Sequence, residues 1–253
     1  MLNNKSNILI KTDKEISYMR EAGNIIAVIM DKMEKAIEPG ITTIELDNIC
    51  RKEIKKNNVK PAFLGLYGFP NSICVSVNEE IVHGIPSKRK LKNGDIISID
   101  AGVIVSGFNS DHAKTFKVGD CAQKEIDLLS DTLESLNLAI SECVSGKYVG
   151  DIGNAVEKFI CPKGYGLVRN YTGHGIGRSL HEPPQVPNFG VPGTGAKLVP
   201  GMTLAIEPMV NIGKDDTKLC DDGWTVVTSD GAKSAHFENT VLITDSKPEV
   251  LTS

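Results

Sequence analysis

Leu91-Lys-Asn-Gly-Asp-Ile-Ile-Ser-Ile-Asp100 and Leu198-Val-Pro-Gly-Met-Thr-Leu-Ala-Ile-Glu207 share one pattern. Each has a leucine, a glycine three residues on, a short apolar run and a carboxylate at its end. The surroundings repeat as well. Pro39-Gly40 precedes a helical stretch to Ile54, as Ser145-Gly146 precedes one to Ile160, and His83-Gly84-Ile85 lines up with His174-Gly175-Ile176. A second acidic strand follows each copy, bearing Asp111 in one half and Glu238 in the other. This order predicts an α/β (α+β) chain folded as a pseudo-twofold repeat, with halves at about 14–120 and 121–246 inside one catalytic domain spanning 1–253. Two sheets are expected to meet at one central site. The halves differ mainly in the Pro- and Gly-rich stretch 183–201, which reads as loop.

Thr12 and Glu15 form a capping box, and apolar residues from Ile16 to Ile37 follow at helical spacing until Pro39-Gly40. Thr42 and Glu45 open a second helix. Lys124 to Cys143 and Gly150 to about Ile160 have helical texture. Ser72 to Val77 alternates like a half-buried strand. Asp95 to Val105 and Ser110 to Val118 read as strands about a turn at Ser106-Gly107. Met202 to Val210 and Phe237 to Thr244 are the last strands.

With the turn at Ser106-Gly107, Asp100 falls opposite Ala113 and Asp111 becomes its diagonal neighbour on the same face. Diagonal neighbours are roughly 7–8 Å apart, near enough for two inward-leaning carboxylates to share an ion. Glu207 and Glu238 end matching positions in the second half. Four buried acids in one place need about four positive charges, which two divalent cations supply. His174, in Gly173-His-Gly-Ile-Gly177, is the imidazole best placed to join them. His236 is a supporting neighbour of Glu238, and His112 is expected at the surface. Oxygen-rich ligation with one imidazole suits manganese, iron(II), cobalt or zinc. No phosphate-binding Gly loop or GxSxG nucleophile motif is present, so metal-assisted hydrolysis has most support.

Composition narrows the field further. Twenty-eight Lys and Arg against 32 Asp and Glu leave a net charge of −4, which disfavours direct nucleic-acid binding through a broad basic face. The apolar run Ile25–Met30 is too short to cross a membrane. Ile8-Leu9-Ile10 makes no signal-peptide core. Six scattered cysteines without a CxxC pair read as reduced thiols in a cytoplasmic protein.

Over about Lys14 to Thr244 the chain resembles the methionine aminopeptidases. VNEEIVHGIP, NGDIISIDAGV, HEPPQVPN, PGMTLAIEPM and DGWTVVTSDGAKSAHFENT carry the likeness. The absence of a zinc-finger extension and of a large insertion makes it similar to the short bacterial type I form. The resemblance implies the pita-bread fold, with helices packed on a curved, mainly antiparallel sheet around a dimetal site. It implies N-terminal methionine excision from peptides and nascent chains whose second residue is small, through a metal-bridging hydroxide. By that likeness Asp111 and Glu238 bridge two divalent ions, His174 and Glu207 complete the first site, and Asp100 chelates the second. Glu207 carries the proton, His181 hydrogen-bonds the carbonyl, and His83 faces the scissile nitrogen. Phe63, Leu66, Phe69, Cys74, His83, Leu180, His181 and Trp224 bind substrate. Phe63 and Leu66 stand where Cys and Tyr are commonest, and Leu180 where an aromatic is frequent, which implies an altered pocket shape. Asn78 and Ser234 match a structural monovalent-cation site. A monomer with transient ribosome association is expected. Leu2 is too bulky for the small-second-residue rule, so the chain should keep its own Met1.

Two other readings compete. A proline-specific aminopeptidase of the same fold uses the same five ligands but usually carries a further N-terminal domain. A non-catalytic binding protein of this fold would have lost ligands, and all five are present here.

Overall fold

The structure is a computed structural model and describes residues 8–253, so Met1 and Leu2, and the expectation about their processing, lie outside it. Four helices, α1 (Asp13–Glu34), α2 (Thr43–Lys56), α3 (Gln123–Ser141) and α4 (Val149–Ile160), pack on a curled antiparallel sheet. Thr12 caps α1 as its spacing with Glu15 predicts, the Thr12 amide donating to Glu15 Oε2 at 2.9 Å. The helix ends at Glu34, earlier than the apolar pattern reaches. Ile37 is therefore outside it, in the turn before Gly40.

Eight strands form the main sheet. In spatial order seven of them are Glu182–Val186, Gly173–Gly175, Thr203–Ile206, Glu238–Leu242, His112–Lys117, Ile96–Ala101 and Ile73–Val77, with Glu249–Val250 beside Glu238–Leu242. The two halves join where Glu238–Leu242 pairs with His112–Lys117. The sheet is thus continuous across both halves, where the repeat suggests two sheets. Outer strands of each half are short and separate: Val103–Val105 and Phe108–Asn109 leave the main sheet at Gly102, and Met209–Asn211 leaves it after Glu207-Pro208.

Pairings outside the main sheet repeat with the pseudo-symmetry. Gly40 donates to the Leu91 carbonyl at 2.8 Å, and Gly146 to that of Leu198 at 2.9 Å. Thr42 bridges Lys90 as Tyr148 bridges Lys197. Both glycines have left-handed backbones, φ 104° and 92°, which only glycine adopts at little cost.

The register corrects the alignment of the two HGI segments. Ser98 pairs with Ser76 in the first half, and the matching Ala205 pairs with His174 in the second. Ser76 therefore takes the place of His174. His83 lies in the segment that returns along strand 73–77, where the Val75 amide donates to the Gly84 carbonyl, as Glu182–Val186 returns along Gly173–Gly175. His83 is the counterpart of His181; both lie seven residues after their half's inner-strand position, Ser76 or His174.

Three further expectations change. Residues 182–186 form a strand that runs into the stretch 183–201 read as loop; prolines are tolerated there because the strand is at the sheet edge. Strand 73–77 is buried on both faces, not half-buried. His112 is 2% exposed, with Nδ1 2.7 Å from the Glu238 carbonyl oxygen. Its strand is interior to the sheet and α1 packs across it, so alternation there does not lead to water.

Separate apolar cores back the two halves. One gathers Ile26, Met30 and Met33 with Ile97 and Ile99; the other gathers Leu136, Ile152 and Val156 with Leu204 and Ile206. Ile97 and Ile99 face the first core, so period-two alternation turns Asp100 to the opposite face of the sheet.

Candidate metal centre

One row across the sheet organises the site. Cys74 pairs with Asp100, Asp100 with Ala113, and Ala113 with Glu238. Ile206 pairs with Asn239, so Glu207 continues beside Glu238 just past its strand. Residues in one row project to the same face, and the methyl of Ala113 leaves open the space between Asp100 and Glu238. Asp111 precedes this strand by one residue. Its amide donates to Thr240 Oγ1 at 3.0 Å and its carbonyl accepts from that hydroxyl at 2.9 Å. The row explains why the five donors are so scattered in the chain: each sits on a different strand or at a strand end.

His174 closes the group. Its Nδ1 lies 2.9 Å from the Gly175 carbonyl oxygen, to which it donates in the neutral tautomer. That leaves Nε2 facing the acids, 3.7 Å from Asp111 Oδ2 and 3.6 Å from Glu207 Oε1. Burial, with His181 nearby, pushes its pKa down to about 4. Donor atoms of Asp111, His174 and Glu238 all lie within 4.8 Å of one another. His236 stands behind the acids, its Nε2 3.7 Å from Glu207 Oε2 and 4.0 Å from Glu238 Oε2. Burial pushes its pKa down to about 3.

The acids are electrostatically frustrated by themselves. Burial raises Asp100 to about 7, and raises Asp111, Glu207 and Glu238 well above the ordinary carboxylate range, with mutual repulsion adding to the last three. Asp100 Oδ1, Asp111 Oδ1 and Glu238 Oε1 are buried without a hydrogen-bond partner. Orphaned carboxylate oxygens converging with an unprotonated imidazole nitrogen suit divalent cations and no internal donor.

A cavity of about 790 Å³ opens over the centre. All five donors line it, together with His83 and His181 and every residue expected to bind substrate. Phe69 meets Trp224 edge to face at 5.2 Å, and Phe63, Cys74 and Leu180 share their apolar cluster. His181 packs against the His174 ring at 4.5 Å, and His83 against Tyr171 at 6.0 Å. Burial lowers the pKa of both His83 and His181, so both are neutral near pH 7. Tyr67 and Tyr171 also line the cavity, outside the set to which the sequence points. Tyr67 stacks on His181 at 6.2 Å although 78% exposed. The signal available for it was its place among Phe63, Leu66 and Phe69. Asn78 and Ser234 do meet, away from the cavity lining: the Ser234 amide donates to the Asn78 carbonyl at 2.8 Å.

Sheet, helices and buried carboxylate–imidazole cluster together define a metal-dependent hydrolase of the pita-bread class, and residues 17–245 match the metallopeptidase family M24. A methionine aminopeptidase of Clostridium acetobutylicum is 50% identical over 97% of this chain and 98% of its own length. The crystal structure of methionine aminopeptidase from Thermotoga maritima superposes with a TM-score of 0.96 at 45% identity, covering 97% of this chain and 99% of that one. The prolidase of Pyrococcus furiosus, at 24% identity and a TM-score of 0.80, shares the fold; this chain covers 65% of it. The chain belongs to metallopeptidase family M24, in its methionine aminopeptidase branch.

Proposed function

We propose that the chain hydrolyses the first peptide bond of peptides and nascent proteins that begin with methionine and continue with a small residue. What supports this best is the union, in one cavity, of five converging donors with an apolar and aromatic wall of Phe63, Leu66, Phe69, Cys74, Leu180 and Trp224. Asp100, Asp111, His174, Glu207 and Glu238 would hold two divalent ions; manganese, iron(II), cobalt and zinc all suit the donor set. Bound there, the ions supply Lewis acidity and a water deprotonated near neutral pH.

The remaining work falls to the chain's own groups. Neutral His181 donates a hydrogen bond to the scissile carbonyl oxygen, where negative charge develops. Glu207 holds the proton taken from water and passes it to the leaving amine. His83 faces that nitrogen. Phe63, Leu66, Phe69, Cys74, Leu180 and Trp224 enclose the methionine side chain, whose thioether favours aromatic and apolar walls. Phe63 and Leu66 reshape this pocket while keeping it apolar. By the family likeness, Asn78 and Ser234 would hold a structural monovalent cation. The chain acts as a single catalytic domain, 1–253, a cytoplasmic monomer with transient ribosome contact; among the described residues no helix is long and apolar enough to cross a membrane.

Methionine release from Met-Ala-Ser, with Met-Lys-Ser and Ala-Pro-Ser alongside, tests the reading in metal-stripped protein given back manganese or cobalt. Metal-dependent cleavage of the first peptide alone is expected. Cleavage of Ala-Pro-Ser alone would move the chain to the proline-specific branch.

A further inference from the structure

The third glycine of Gly173-His-Gly-Ile-Gly177 touches none of the ligands. A Cβ placed on Gly177 would lie 2.5 Å from Lys11 Cε and 2.7 Å from Glu182 Oε1. The glycine thus makes room for an ion pair between Lys11 and Glu182. Their charged atoms are 2.6 Å apart, and each side chain is only 5% exposed. Lys11 also donates to the Leu9 carbonyl at 3.2 Å, and its amide donates to Gly201 at 2.9 Å. The other Glu182 oxygen, Oε1, accepts the Ser179 amide at 3.1 Å.

That second bond closes a turn from Gly177 to Glu182. Within it the Gly177 amide donates to the Ser179 carbonyl at 3.0 Å. Asn109, two residues before Asp111, grips the start of the turn: its amide and Nδ2 donate to the Gly177 carbonyl at 2.8 and 2.9 Å, and Nδ2 also reaches Arg178 at 3.1 Å. Arg178 holds the outer side, its guanidinium over the Phe108 ring and 3.0 Å from Glu15. Leu180 and His181 stand at the far end of this turn, immediately before Glu182. A buried ion pair is poor value as plain stability, since apolar residues of similar volume often do as well. Its retention beside His181 calls for a reason of geometry.

We propose that Lys11 and Glu182 are positioning residues: the buried pair fixes the Glu182 carboxylate so that its bond to the Ser179 amide sets the turn that aims His181 into the cavity. The proposal rests on His181 meeting the substrate carbonyl. A displacement of about 1 Å in such a donor can cost on the order of a hundredfold in rate. Lys11 thereby ties the segment before α1 to the site.

Two charge-free double variants separate positioning from packing. K11M/E182Q keeps an acceptor for the Ser179 amide; K11M/E182L does not. In manganese-loaded enzyme, K11M/E182Q, which keeps the bond to Ser179 but not the pair that fixes it, should lose about three- to tenfold in kcat, and K11M/E182L, which keeps neither, should lose more than about tenfold, with KM, melting temperature and metal stoichiometry retained. G177A, which displaces the pair without removing a charge, should fall in the same way, and it decides the matter if K11M/E182L does not fold. In zinc-loaded protein the His181 ring resonances should shift or broaden in K11M/E182L and G177A while those of His112, on the interior strand, hold. Parental kcat in either double, or equal losses in both, would overturn the proposal. If the parent enzyme releases no methionine, the functional reading fails, and the His181 resonances alone judge the clamp.

Discussion

Asp111 and His181 differ in how the chain holds them, and so in how their loss should read out. Asp111 is locked through its backbone to Thr240, leaving its carboxylate free to converge on Glu238 and His174. D111A should lose tightly held metal and with it all turnover, a pairing checked by metal analysis after dialysis alongside methionine release. His181 stands outside the cluster and reaches it only by ring contact with His174. H181A should keep its metal while kcat falls by about 10²–10³-fold, the usual cost of one donor to a developing oxyanion. Equal loss of metal in both variants would show that His181 belongs to the coordination sphere and not to substrate binding.

Elements act through register and close approach. The row Cys74–Asp100–Ala113–Glu238 works because its middle member is small. A113L would fill the gap between the two acids without substituting either, and should abolish metal uptake in a protein that remains folded by circular dichroism. In α1, Gly23 lies where a Cβ would come within 1.9 Å of the Leu251 carbonyl oxygen. Helix propensity alone would have G23A stabilise by roughly 0.5–1 kcal/mol. Overpacking against backbone reverses the sign, and the expected loss is about 1–3 kcal/mol in urea unfolding.

The whole molecule carries the electrostatic cost of its centre. His83, His112, His174, His181 and His236 all have folded pKa values below the ordinary 6.5, so between about 4 and 6.5 the unfolded chain binds more protons at these groups and they make stability rise with pH. The four acids act in the opposite sense. Their folded pKa values lie above the unfolded ones, so the folded chain keeps protons that the unfolded chain has already lost, and stability falls as pH rises. Above about 7.5 the histidines are nearly neutral in both states, and the raised pKa values of the acids, joined at higher pH by those of buried Cys50, Cys74 and Cys143, set the slope. Metal-free protein should therefore melt at progressively lower temperature as pH rises from about 7.5, and added manganese should flatten that slope. Calorimetry across the range, with and without metal, checks both; a metal-free profile that rises with pH would contradict the burial of these acids.

Local chemistry was legible in the chain itself: the Thr12–Glu15 cap, the turn at Ser106-Gly107, the facing of Asp100 by Ala113, the twice-written strand, and the five donors by their kind and order. These depend on neighbours a few residues away, whose conformational preferences act without help from distant contacts. The true partners of the repeat were not legible. His83 aligns by letters with His174 but takes, by ladder register, the place of His181 in its own half, because hydrogen bonding between strands and not sequence similarity decides equivalence. Nor did the chain reveal that His112 is buried, that 182–186 is a strand, or that Lys11 meets Glu182 across 171 positions. Each of these follows from which face another element covers, and that is settled only when the two halves close on one sheet.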